Sequence, residues 1–158
     1  MIIFILLYTI LHIILFLVSF FKIRNNNLGT LDFIYKFSFP FGAFVWEDLL
    51  IFSLFNLVIV ITLLAFKDLR IGLLLFIVFW IVRSAGETIY FFLQQFFHPK
   101  YHPHFISAHF WILKKFLGKL SDQQCFIIMQ VTFQTLSVIF ISALILLLKF
   151  WPFIPSGF

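Results

Sequence analysis

Apolar residues in this chain come in four long runs, separated by short clusters of polar, charged and proline residues. The first run is Met1 to Phe21, closed by Lys22 and Arg24. The second extends from about Val45 to Phe66, the third starts at Ile71 and can continue as helix to Phe97, and the fourth covers about Cys125 to Leu148. About 20 apolar residues in helical form cross a hydrocarbon core of about 30 Å. A helix also satisfies its own backbone polar groups where no water can. The pattern therefore predicts transmembrane helices over about 1–21, 45–66, 71–97 and 125–148. Only Lys67-Asp68-Leu69-Arg70 separates the second from the third. At about 1.5 Å per residue the third reaches roughly 40 Å, so it should tilt or project before Pro99 and Pro103 stop it.

The connections carry their own pattern. Asn25-Asn26-Asn27-Leu28-Gly29-Thr30 has the composition of a turn. The segment 31–44 is aromatic and broken by Pro40 and Gly42, which suits a headgroup boundary. Over 105–120, Phe105, His109, Ile112, Phe116 and Leu120 recur at helical spacing while Lys114, Lys115 and Lys119 fall elsewhere, which predicts a short amphipathic interfacial helix. Ser121-Asp122 is placed to cap the fourth span. Lys149, Trp151 and two prolines end that span at an interface. The expected fold class is all-α: a polytopic, four-transmembrane-helix bundle with an interfacial helix between spans three and four, in a single membrane domain over residues 1–158.

Composition agrees. Of 158 residues, 63% are hydrophobic and 11% charged, against about 45–50% and about 25% in soluble domains. So few charges could not cover a water-soluble fold of this size. The first run has no basic region before it and no small-residue cleavage site after it, so it reads as an uncleaved anchor. Cys125 is the only cysteine and permits no internal disulfide. Seven Lys/Arg residues (Lys22, Arg24, Lys36, Lys100, Lys114, Lys115, Lys119) lie in the first and third connections, against three (Lys67, Arg70, Lys149) on the other side. By the positive-inside rule both termini should be non-cytoplasmic. The expected location is the plasma (inner) membrane of a bacterium.

Candidate chemistry lies in the polar residues inside the spans. Arg83 and Glu87 are four apart on one helix and share a face. Tyr90 and Gln94 extend that face, which in lipid should point to the interior. Counting outward from the tight turn brings Asn56 level with Arg83, and His12, Ser137 and Gln134 fall near the same depth. The expected polar layer is thus His12, Asn56, Arg83 and Gln134, with Glu87 and Gln130 just below. Glu47 and Asp48, after Trp46, either complement the dipole of the second span or form a cavity mouth. Glu87, Asp48 and His12 are the candidate acids or bases. Lys114, Lys115 and Lys119 are candidates for anionic lipid headgroups; with large apolar anchors between them, they do not suggest nucleic acid. His98 and His102 have a ligand-like spacing, but Pro99 and Pro103 interrupt it, no acidic ligand is near, and the histidines are too few for the boxes of membrane di-iron oxygenases. No metal site is expected, and no cofactor is indicated.

These observations leave several functions open. The polar layer could bind or act on a lipid or another apolar small molecule, with Arg83 holding an anionic headgroup or orienting Glu87. The chain could instead be a small transporter or channel subunit, although four-span drug-efflux proteins of similar length carry their carboxylate in span one, where this chain has only His12. It could also be a structural or accessory subunit, with its polar groups serving as interhelical ties. The bilayer is the expected partner, with a homo-oligomer or another membrane protein as further options. No nucleophile, zinc or hydrolase motif supports a named reaction.

Overall fold

A computed structural model of the chain describes residues 2–25, 46–97 and 111–154. Five α-helices and a short 3-10 turn follow in order: α1 (Ile2–Arg24), α2 (Trp46–Phe66), α3 (Leu69–Phe97), α4 (Trp111–Leu117), α5 (Asp122–Lys149) and the turn Trp151–Phe153. No strand occurs among the described residues. The fold is all-α, and α1, α2, α3 and α5 are each long and apolar enough to cross a membrane. The chain is thus built as an integral membrane protein. The segment 31–44, with Lys36, lies outside the described residues, as do Lys100, Phe105, His98, His102, His104 and His109.

The described residues fall into two compact units, one up to Leu73 and one over Leu74–Ile154. In the first, α1 and α2 run antiparallel. Tyr8 in the first half of α1 meets Asn56 at the middle of α2, and Lys22 at the end of α1 lies over the ring of Trp46 at the start of α2. The least exposed positions of α1 include Ile5, Thr9, His12, Phe16, Ser19 and Ile23, spaced alternately four and three apart. On α2 the corresponding series is Leu49, Ser53, Asn56, Val60 and Leu63. Alternating threes and fours keep one helix face on its partner over many turns. Ser19 and Ser53 are fully buried, and each hydroxyl donates back to its own helix, to the carbonyls of Leu15 and Leu49. Small residues with internally satisfied hydroxyls let two helices approach closely without leaving a donor in lipid.

The turn after α2 is fixed by two local devices. Lys67 takes φ 50° and its N–H bonds to the Leu63 carbonyl, closing the helix in the left-handed manner usually given to glycine. Asp68 then accepts from the Arg70 backbone N–H at 2.9 Å, capping α3. Its carboxylate also receives Arg70 Nε at 2.9 Å and Nη2 at 2.7 Å. Gly72 allows this hairpin to close, because a Cβ there would collide with the Leu63 side chain.

In the second unit, α3 and α5 run antiparallel along a layered seam. The buried positions of α3 are Ile77, Trp80, Ser84, Glu87, Phe91 and Gln94, again at alternating spacings. Trp80 stacks on Phe140 at 5.5 Å, the Ser137 hydroxyl donates to Ser84 Oγ at 2.8 Å, Phe91 stacks on Phe133 at 5.7 Å, and Gln95 Nε2 donates to Gln130 Oε1 at 2.6 Å. Ring stacks contribute about 0.5–1.5 kcal/mol beyond the area they bury. Interhelical hydrogen bonds in membranes average about 0.6 kcal/mol. Aromatic layers therefore supply most of the cohesion, and the hydrogen bonds fix the register.

Several helix boundaries differ from the sequence pattern by up to three residues, and two of them have a clear local cause. The interfacial helix, expected as far as residue 120, stops at Leu117 because Gly118 adopts φ 85° and its N–H caps the Lys114 carbonyl. The last span begins at Asp122, before Cys125, because Ser121 and Gln124 form a reciprocal capping box. Lys114 reaches Asp122 at 2.9 Å and ties α4 to the start of α5. Phe116 is 80% exposed and Leu117 is also exposed.

Candidate functional site

Arg83 and Glu87 close on one another. Their side chains meet at 2.5 Å within α3, and both are largely withdrawn from the surface, with 18% and 7% of each side chain exposed. Helical geometry brings residues four apart together, so the pair needs no second element to form. Glu87 lies in the buried seam between Ser84 and Phe91, whereas Arg83 stands at its edge. Glu87 Oε2 and Arg83 Nε are buried, and neither atom hydrogen-bonds within the described residues.

The small residues before Glu87 divide into two roles. Ser84 is fully buried, donates a hydrogen bond to the Trp80 carbonyl and accepts one from Ser137, so its size serves close helix approach. Ala85 and Gly86 are exposed, and a Cβ added at Gly86 would meet nothing within 4 Å. Gly86 is three residues from Arg83 and adjacent to Glu87. The ion pair is thus flanked by a notch where the helix has no side chain.

Other expected members of the polar layer are placed as follows. In the first unit, Asn56 accepts from the Tyr8 hydroxyl at 2.6 Å and donates to its own helix at Phe52. His12 Nδ1 lies 2.9 Å from the Tyr8 carbonyl, and the two rings are 4.2 Å apart. A carbonyl can only accept, so in this arrangement Nδ1 carries the proton and a neutral ring keeps its lone pair on Nε2. Tyr8, four residues before His12, is the member the sequence pattern did not single out; the helical spacing to His12 was the available signal. Glu47 is exposed and Asp48 half-buried in the first turn of α2, where the helix dipole favours carboxylates.

In the second unit the interior stripe of α3 keeps Glu87 and Gln94 of the expected four and takes Ser84 and Phe91 in place of Arg83 and Tyr90. Phe91 is fully buried where Tyr90 was expected, and Tyr90 is half-buried beside it. Gln94 is buried, but the tie to Gln130 comes from Gln95. Gln134 is exposed, because the seam of α5 passes through Phe133 and Ser137 and leaves it on the outer side. Lys115 and Lys119 are exposed, while Lys114 is engaged with Asp122. Among the described residues no cluster of three or more His, Cys, Asp or Glu side chains could hold a metal ion.

Chemically, the Arg83–Glu87 pair offers a guanidinium of the kind that can bind an anionic head in bidentate fashion, held here by a carboxylate on the same helix. No protein-family model, curated protein or solved structure matches the chain.

Proposed function

We propose that this integral membrane protein binds an amphipathic small molecule with an anionic head, a carboxylate or a phosphate on an apolar tail, at Arg83 inside the bilayer. The observation that carries this reading is the ion pair lying within one helix beside the open notch at Gly86. The pair itself forms within one helix, while Ser84–Ser137 and Gln95–Gln130 join α3 to α5 in the same seam. Each charge at a helix centre costs about 2.5–3.5 kcal/mol to insert, several times what a polar tie contributes. Uncharged ties already join the helices of this seam at lower cost, so the charged pair is best explained by use.

In the proposed cycle, Glu87 holds Arg83 compensated while the site is empty. The ligand's anion takes the guanidinium, Glu87 takes up one proton, and net charge in the hydrocarbon is conserved. The notch at Gly86 gives the apolar tail its path. Binding therefore weakens as pH rises. The positive-inside balance supports an orientation with both termini non-cytoplasmic, and the composition suits a bacterial inner membrane.

Titration of the full chain in a neutral detergent with dodecyl phosphate tests the reading. The wild type should bind at Arg83 with uptake of one proton, and Arg83→Gln should abolish that proton uptake and weaken this binding at least about tenfold, as expected for one lost charge-assisted contact. Equal binding by wild type and Arg83→Gln would reject it.

A further inference from the structure

A second site lies on α1. Ile14, Leu17, Val18, Phe21, Lys22 and Asn25 line an open-sided groove of about 520 Å³. At 100° per residue these positions form the face of α1 opposite the seam of His12, Phe16 and Ser19. The groove is graded: four apolar side chains lead to an ammonium and an amide at the C-terminal end of the helix. From Ile14 to Asn25 it follows roughly 16 Å of helix axis, at about 1.5 Å per residue. That is about half of the roughly 30 Å hydrocarbon core, the depth of one leaflet. Lys22 sits at the headgroup level, with its ammonium 5.7 Å from the centre of the Trp46 ring, an arrangement typical of membrane–water boundaries. Arg24 adds a second cation to the same turn.

We infer that this groove holds one phospholipid with an anionic headgroup, its acyl chain along Ile14, Leu17, Val18 and Phe21 and its phosphate at Lys22 and Asn25. Length, polarity gradient and charge each match a single lipid of that leaflet. The site is independent of Arg83, on a different helix and with its cation at the boundary.

Native mass spectrometry of the full chain, offered equal phosphatidylglycerol and phosphatidylcholine of identical acyl chains, tests this. The wild type should retain one phosphatidylglycerol in preference to phosphatidylcholine. Lys22→Gln should reduce that preference about fivefold, the effect of one surface cation on anionic lipid. Val18→Trp, which fills the groove, should lower retention of both lipids. Loss of the preference in Arg83→Gln but not in Lys22→Gln would overturn the assignment, as would a wild type that takes both lipids equally. Dodecyl phosphate binding at Arg83 should persist in Lys22→Gln, so failure of either site is distinguishable from failure of the other.

Discussion

Gly86 separates the two possible uses of the small residues beside the ion pair. If it served helix contact, any side chain there would clash; instead its Cβ position faces open space. Gly86→Ala should therefore raise stability in detergent by about 0.5–1 kcal/mol, the usual gain when a helical glycine is replaced without strain. Gly86→Phe should leave folding intact but obstruct dodecyl phosphate, which thermal unfolding and titration would report separately. Asp68 gives a second residue-scale expectation. Bonding from Arg70 holds its carboxyl below the usual carboxylate range. A lowered folded-state pKa stabilises the protein above the unfolded value of about 3.9 and loses that contribution as pH falls through the folded value. Unfolding curves of wild type and Asp68→Asn should thus differ at neutral pH and converge under strong acid. At this scale the spacing puts Arg83 and Glu87 on one helix face but leaves open whether they close on one another or line a cavity; the structure pairs them. Whether the neighbouring Ser84 and Gly86 face a partner or open space depends on the rotation of α3, which spacing alone does not supply.

Elements are set by caps as much as by apolar length. Lys67 and Gly118 occupy the same left-handed position after α2 and α4, so substitution should act in opposite directions at the two sites. Lys67→Gly should stabilise by up to about 1 kcal/mol, and Gly118→Ala should cost about 1 kcal/mol, both measurable by thermal unfolding. In the α3–α5 seam, Ser84→Ala should cost about 0.6 kcal/mol for the lost tie to Ser137. Ser84→Leu should cost about 1–3 kcal/mol, because the closely approaching helices must part. The four spans were legible because length and hydropathy define them. The seam of α3 was read one residue away, at Tyr90 in place of Phe91, because in lipid the hydrophobic pattern no longer separates inside from outside. A polar stripe was the natural guide, and here an aromatic ladder occupies the interior beside it. Gln134 was misplaced for the same reason: polarity suggested the interior, while Phe133 and Ser137 took the contact.

At the scale of the whole molecule, four helices among the described residues are long and apolar enough to cross a membrane, and their charges are concentrated at their ends, except at Arg83 and Glu87. Orientation can be checked with single cysteines in a Cys125→Ser background. A cysteine at position 119 should be shielded from an impermeant thiol reagent added outside intact cells, and one at position 68 should react; the reverse labelling would invert the topology. The central claim is that Glu87 is a displaceable stand-in for a ligand's anionic head. Glu87→Gln should remove the Arg83–Glu87 ion pair and lower stability by about 3 kcal/mol, as when a buried pair is broken. The most direct measurement is therefore the thermal unfolding of Glu87→Gln with and without dodecyl phosphate. The account predicts that the anionic amphiphile restores stability to near the wild-type value, that a neutral amphiphile of equal chain length does not, and that the Arg83→Gln, Glu87→Gln double variant shows no such response. Equal responses of Glu87→Gln to the anionic and neutral amphiphiles, or equal rescue of the double variant, would contradict it.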